Sequence, residues 1–426
     1  MLDITPLRYG FFQNSARSGI YFTLKNILLQ LLHRKDVDLF FNLDLGDAPN
    51  VELEVHTVLE REFSEYKVWI LSRTFSEIPS RLRVFCDSQD LKIRKGKERF
   101  RNNLLIFFLL RCCFFLVNRI LRPLSATFPI LKIRNLSYLS LMLDPPDYIK
   151  RQIRPENRYL LLYDTIPLLI PEYASQMSGW FGKVAGHISA KCNYMAISKS
   201  TRNDFIRFFP VLQGKEIPIV ELAAAEYFRP VRNEKKQNAV REKYHIPSGK
   251  KIFFSHCSLA PHKNLEMLFC AFAEFYKKNS DWIMLFSGAN IGEKMERIKQ
   301  LANEKELPEE AFSFTGYVED EELPVLYSIA DVFCFVSLHE GFGLPVLEAM
   351  QCGCPCVVSN LSSLPEVVGD AACMVDPRDQ DDIVRGLQTV ASNPDLRQQM
   401  SQKGIERAKH FSWEKAADKM LKCIIP

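Results

Sequence analysis

Two glutamates, Glu340 and Glu348, flank a turn that contains Gly341 and Gly343 and runs into Pro345. Glycine admits a tight turn and lets the main chain come close to a ligand. Proline suits the first turn of a helix. The free amides of such a turn, together with the helix dipole, form an anion site. A diphosphate fits there. Two carboxylates beside an anion do not serve the anion itself. They are suited to accept hydrogen bonds from hydroxyls, and a sugar and a ribose each offer adjacent pairs. Spacing alone leaves a plainer reading equally open, with Glu348 a favourable first-turn acid and Glu340 a solvated loop residue.

A second group, Pro261-His262-Lys263-Asn264-Leu265, follows an apolar run and opens a helical one. Lysine binds phosphate as a point charge. Fixed positive charge stabilises the oxygens that gain charge when a bond to a diphosphate breaks. The plainer alternative is an exposed lysine at a helix start.

These residues need elements to position them. Apolar runs at Lys251–His256, Trp282–Ser287, Phe312–Gly316 (a strand and turn), Asp331–Leu338 and Pro355–Ser359 read as strands of a parallel sheet buried on both faces. Between them, Leu265–Tyr276, Leu323–Ile329 and Pro345–Cys352 read as helices, the last stopped at Gly353. The alternation predicts an α/β layer with ligands at the carboxyl ends of the strands. The first half repeats the rhythm: a strand in the first ten residues, a helix over Tyr21–Leu32, strands at Val37–Leu43, Tyr159–Tyr163 and Tyr194–Ile197, and Ser198 capping a helix near Thr201. The charged stretch Val231–Asn238 is a natural boundary. Three parts follow: residues 1–235, residues 236–405, and a terminal helix over 406–426.

The 426 residues exceed one compact core. A net charge of +4 argues against a nucleic-acid binder. Basic residues nevertheless gather among phenylalanines and leucines between Lys92 and Arg134, which suits an anionic membrane surface as well as a core helix with a solvated basic face. The longest apolar run, Leu104–Val117, is interrupted by Arg111 and falls short of the ~20 residues that span a bilayer. The start shows no basic stretch followed by an apolar core, so a signal peptide is not expected. The 12 cysteines lack paired spacing with histidine or cysteine, so no metal site is expected, and free thiols fit a reducing cytoplasm.

The stretch from Phe314 to Pro377 closely resembles the retaining glycosyltransferases of family 4, which have the GT-B fold of two Rossmann-like domains with parallel sheets facing across a cleft. The resemblance is carried by Phe314-Thr315-Gly316-Tyr317-Val318, Leu326-Tyr327, Ala330-Asp331, Glu340 through Ala349, Leu364 through Ala372, and Val375-Asp376-Pro377. It implies that Glu340 contacts the donor sugar and Glu348 the ribose, with the amides of Gly341, Phe342, Gly343 and Leu344 on sugar and phosphate oxygens. Gly316, Tyr317 and Val318 would lie near the base, and Lys263, with His262, would take the diphosphate. Gly19, in Arg17-Ser18-Gly19-Ile20, resembles the first glycine loop facing the phosphates. Asp164, in Tyr163-Asp164-Thr165-Ile166-Pro167, resembles a cleft-lining residue that contacts sugar or acceptor, although an aspartate that caps its own loop reads the same way.

The chain departs from the family pattern at His262, where arginine is usual, at Phe22, where arginine is frequent, at Tyr163, where many relatives have histidine, and at Glu221–Ala225, which usually holds glycine and aspartate. The resemblance implies transfer of a sugar, mannose as a guess, from a nucleoside diphosphate donor to a glycan or lipid-linked glycan of a cell-surface polysaccharide. No metal or other cofactor is required by it. A non-catalytic nucleotide- or glycan-binding subunit is the alternative.

Overall fold

The computed structural model describes residues 2–3, 19–34, 40–42, 69–71, 137–140, 145, 147–170, 186–257, 260–288 and 292–425. The basic segment 92–134 and Pro171–Tyr173 lie outside these residues, so the expected membrane-facing surface does too. Among the described residues, no helix is long and apolar enough to cross a membrane, and every cysteine is free.

By internal contacts the chain divides into two compact units, Met1–Leu160 with Lys191–Asn193, and Leu161–Ala190 with Tyr194–Pro426. One six-stranded sheet has the order β3-β2-β1-β4-β5-β6, with β1 Leu2–Asp3, β2 Phe40–Asn42, β3 Trp69–Leu71, β4 Tyr138–Ser140, β5 Arg158–Leu162 and β6 Asn193–Ala196. Helix Gly19–Leu32 buries Leu24, Ile27, Leu28 and Leu31 along one stripe at helical spacing.

The other sheet has the order β12-β11-β10-β7-β8-β9, with β7 Lys251–His256, β8 Trp282–Ser287, β9 Phe312–Phe314, β10 Val332–Phe335, β11 Cys356–Ser359 and β12 Cys373–Val375. Its strands pair in parallel, as in Ile252 with Ile283 and Phe333 with Cys356. Every residue of β8, β10 and β11 is buried. That explains their unbroken apolar sequence: helices cover both faces of a parallel sheet. Phe253 stacks on Trp282 with centroids 4.3 Å apart, and Phe254, Tyr327 and Phe333 meet edge-on or tilted.

The strand order reverses between β7 and β10. Loops leaving the carboxyl ends of these two neighbours diverge and open a crevice. Cys257 and residues 260–264 follow β7 and residues 336–343 follow β10, so the topology brings together the two groups singled out in the sequence. The strand expected over Asp331–Leu338 is shorter for the same reason. Beyond Phe335 its backbone bonds to the loop and not to a strand: Val336 O accepts from Asn264 Nδ2 at 3.2 Å, and Leu338 N donates to His262 O at 2.7 Å. Helices Gly292–Glu304, Gln380–Ala391 and Pro394–Ala408 were not anticipated. The caps Asp379 and Asn393 are the signals that mark the last two.

Candidate active site

Asn264 adopts a left-handed conformation, φ 58°, between a single 3-10 turn over Pro261–Lys263 and helix Leu265–Tyr276. Asparagine tolerates that region better than most residues. Its side chain donates to Val336 O and, at 2.7 Å, to Pro377 O, so the loop is tied to the ends of β10 and β12. The tie aims Lys263 across the crevice. Lys263 Nζ meets Glu340 Oε1 at 2.6 Å and sits 4.9 Å from the centroid of Phe335. Both side chains are largely buried, 12% and 9% exposed. His262 is buried beside them.

Glu340 begins the turn. Its N–H donates to Ser362 Oγ at 2.9 Å. Gly341 packs so tightly on Tyr163 that a Cβ at this position would overlap the Tyr163 main-chain oxygen. Gly343 has φ +103°, and a Cβ there would lie 2.5 Å from Leu364 Cδ2. These are the two positions in the turn where glycine is required. Helix Leu344–Gln351 follows, with Pro345 in its first turn. Gly341, Phe342 and Gly343 are buried. Among the described residues, their amides form no hydrogen bond. Three consecutive amides without a partner, in buried residues at a helix N-terminus, are an arrangement suited to an anion.

Glu348 lies one turn into that helix and accepts from the Tyr327 hydroxyl at 3.1 Å. Burial raises its carboxyl to about 7, against the lowering effect of Tyr327, and the nearby Asp320 charge adds to the rise. Asp320 belongs to the segment after β9 that also carries Gly316, Tyr317 and Val318. Gly316 is left-handed at φ +72° and accepts from Gly288 N at 3.0 Å. Tyr317 is exposed and Val318 is buried.

Asp164 follows β5. Its Oδ1 accepts from Ile166 N at 3.0 Å, which is the local capping bond of the plainer reading. The same carboxyl is electrostatically coupled to the crevice. Burial raises it most, the Glu340 charge adds to the rise, and His339 and Lys263 oppose it. The structure therefore brings Asp164, Lys263 and Glu340 together in the second unit. Gly19 opens helix Gly19–Leu32 in the first unit.

At the carboxyl end of β7, His256 Nδ1 lies 2.7 Å from Ser287 Oγ. Burial, helped by the Lys263 charge, lowers it to about 4 and keeps it neutral. Sequence reasoning did not single out His256, Ser362 or Ser363, and read Ser198 only as a helix cap. Ser198 does accept from Thr201 N at 3.0 Å as the cap of helix Lys199–Phe208, but its hydroxyl also reaches Gly341 O at 2.7 Å.

Residues 236–407 match the family model for glycosyl transferases group 1. The chain carries a group 1 glycosyltransferase domain. Lys263, the Glu340–Glu348 turn and the Gly316 loop all fall within it, whereas Asp164 and Ser198 precede it. The O-antigen chain mannosyltransferase B of Escherichia coli is 34% identical over 221 residues, 52% of this chain and 57% of that protein. The serotype-specific mannosyltransferase WbdA, also from Escherichia coli, is 30% identical over 226 residues, 52% of this chain and 27% of that protein. The chain thus spans between about a quarter and just over half of the length of these curated relatives. A glycosyltransferase from Rickettsia africae matches at a TM-score of 0.61 with 15% identity, covering 99% of this chain and 97% of that one. At that identity the match speaks to the fold, which is GT-B.

Proposed function

We propose that the chain is a retaining mannosyltransferase of family 4. It moves mannose from a nucleoside diphosphate donor to a hydroxyl of a growing cell-surface glycan or lipid-linked glycan. The observation that carries this reading is the row of three unpartnered amides at Gly341–Gly343, set beside a lysine held across the crevice. That is a site for a phosphate with a sugar attached. The mannosyl transfer named for both Escherichia coli relatives supports the sugar.

In the reaction, the bond from the anomeric carbon to the diphosphate oxygen breaks, and its electron pair stays on the phosphate. The acceptor oxygen bonds to that carbon, and its proton leaves with the diphosphate. Lys263 and the turn amides stabilise the charge on the departing oxygens. Glu340 holds sugar hydroxyls and Glu348 those of the ribose, while Asp164 orients sugar or acceptor. No carboxylate is assigned as a covalent nucleophile. The lysine and the amides take the place of a metal, so transfer is expected to persist in excess chelator. Loss of activity on chelation, restored by a divalent cation, would refute that part.

The test of the whole reading is transfer of mannose from guanosine diphosphate mannose, with the anomeric configuration of the product read by NMR. A product of inverted configuration, or donor binding without turnover over a panel of mannose-terminated acceptors, would overturn it. The basic segment 92–134 supports peripheral contact with an anionic bilayer. Sedimentation with phosphatidylglycerol vesicles at low salt, absent with neutral vesicles, is the expected result.

A further inference from the structure

Three consecutive carbonyl oxygens of the turn lie within reach of side-chain hydroxyls, with the single Ser363 proton shared between the first and the third. Ser363 Oγ reaches both Glu340 O, at 3.1 Å, and Phe342 O, at 2.9 Å. Gly341 O, between them, is reached by Ser198 Oγ at 2.7 Å and by Thr201 Oγ1 at 3.0 Å. Thr201 Oγ1 also lies 2.9 Å from Tyr163 O and 3.0 Å from Ser198 Oγ. Each hydroxyl has a single proton to donate. Giving the Ser198 proton to Gly341 O and the Thr201 proton to Tyr163 O serves both carbonyls. The reverse order leaves Tyr163 O without a hydroxyl.

In a trans peptide the C=O of one residue and the N–H of the next point in opposite directions, and the described chain has no cis bond. Each carbonyl that is held therefore fixes the N–H of the following residue opposite to it: Glu340 O that of Gly341, Gly341 O that of Phe342, and Phe342 O that of Gly343. Those are the three amides without partners. Ser363 is also unusual for its position. It stands at the N-cap of helix Leu364–Val368, where a serine ordinarily accepts from its own helix. Here it makes no capping bond. Its fully buried hydroxyl is spent on the turn alone.

We propose that Ser363, with Ser198 as its counterpart, is a positioning residue that orients the amides of Gly341–Gly343 toward the donor. The inference rests on the donor-site reading above. Dipoles already aimed at the developing charge need no reorganisation during reaction. Without the hydroxyls, the peptide planes are free to rotate and the amides spend part of their time turned away.

The variants are Ser363→Ala, which removes no cap, Ser198→Ala, which does, and Thr201→Ser, which keeps its hydroxyl. Each is measured for affinity to guanosine diphosphate mannose by calorimetry and for steady-state transfer. Ser363→Ala is expected to weaken donor binding and raise donor KM about tenfold or more, with acceptor KM unchanged. Thr201→Ser is expected to stay within about twofold of wild type. A merely structural role would lower the melting temperature and the active fraction, so kcat would fall at constant donor KM. That outcome in both alanine variants overturns the proposal. If Ser363→Ala fails to fold, Ser198→Ala is read by the same criterion. A wild-type chain that binds neither guanosine diphosphate mannose nor uridine diphosphate glucose overturns the donor-site reading itself, and this inference with it.

Discussion

Glu340 and Glu348 bracket one turn yet meet different partners. Glu340 faces the Lys263 ammonium at 2.6 Å, and its neighbouring main-chain groups are fixed by Ser362 and Ser363. Among the described residues the Glu348 carboxylate meets a neutral phenol, that of Tyr327, at 3.1 Å, and burial lifts it to about 7. At the first end a charge is stored against a countercharge, and the incoming diphosphate can draw on that lysine. At the second end a carboxylate is held where its charged form is costly, and on the proposed reading ribose hydroxyls would solvate it. The same side chain thus serves two tasks because its surroundings differ, as pairs of carboxylates in enzymes commonly do.

The largest break in this comparison comes from Lys263→Ala, expected to cut kcat/KM by about a thousandfold, the scale of losing one preorganised donor to a developing oxyanion. Because it also strands Glu340, it should be paired with Lys263→Ala/Glu340→Gln. Recovery of transfer in the double variant would show that the lysine only neutralises Glu340, and the assignment to the diphosphate would fall.

Glu348→Gln should act in two opposite directions. Donor affinity should drop about tenfold, as expected for the loss of charge-assisted bonds. Stability of the ligand-free protein at pH 8 should rise by on the order of 3 kcal/mol, because a cost of charge burial is removed. Urea unfolding at that pH checks it. A destabilised variant would mean that Glu348 is held by partners which favour its charge, contrary to the asymmetry.

The smallest effect is the pH dependence. The folded state raises Glu348 from 4.5 to about 7, so the fold favours the neutral acid. Its contribution to stability is full below about pH 4.5, is lost as pH rises toward 7, and changes no further above that. Asp164 is raised as well and acts with the same sign. His256, lowered from 6.5 to about 4, acts in the opposite sense: its contribution is present above 6.5 and lost as pH falls through 4. The clean quantity is therefore the difference between wild type and Glu348→Gln, which should grow between pH 4.5 and 7 by up to about 1.4 kcal/mol per pH unit. A flat difference would remove Glu348 as the source.

Much of this arrangement is legible in the chain. The apolar runs set β7 and β8 and helix Leu265–Tyr276 to the residue, because strands buried on both faces and an amphipathic helix leave periodic signatures. The alternation of strands and helices predicts ligand groups at the strand ends, but the pairing of Lys263 with Glu340 needs the strand order, in which β7 and β10 are neighbours. The hydroxyl clamp is not legible. Ser363 is one small polar residue in Leu361-Ser362-Ser363-Leu364, and its role depends on a turn more than twenty residues away in sequence. Ser198 announces itself as a cap, and its second bond, to Gly341 O, spans the two halves of the sequence. The end of β10 was misjudged because Val336 and Ser337 are as buried as a strand but bond to a loop.

Gly341 carries a consequence for how such a chain can drift. A side chain that blocks a core position can be answered by a smaller neighbour, so most packing errors have a second-site remedy. The obstacle at Gly341 is the main-chain oxygen of Tyr163, which every residue at position 163 possesses. No replacement there makes room for a methyl group at 341. The loop after β5 and the turn after β10 are therefore locked into a joint inheritance. A library randomised at both positions should return glycine at 341 whatever it accepts at 163.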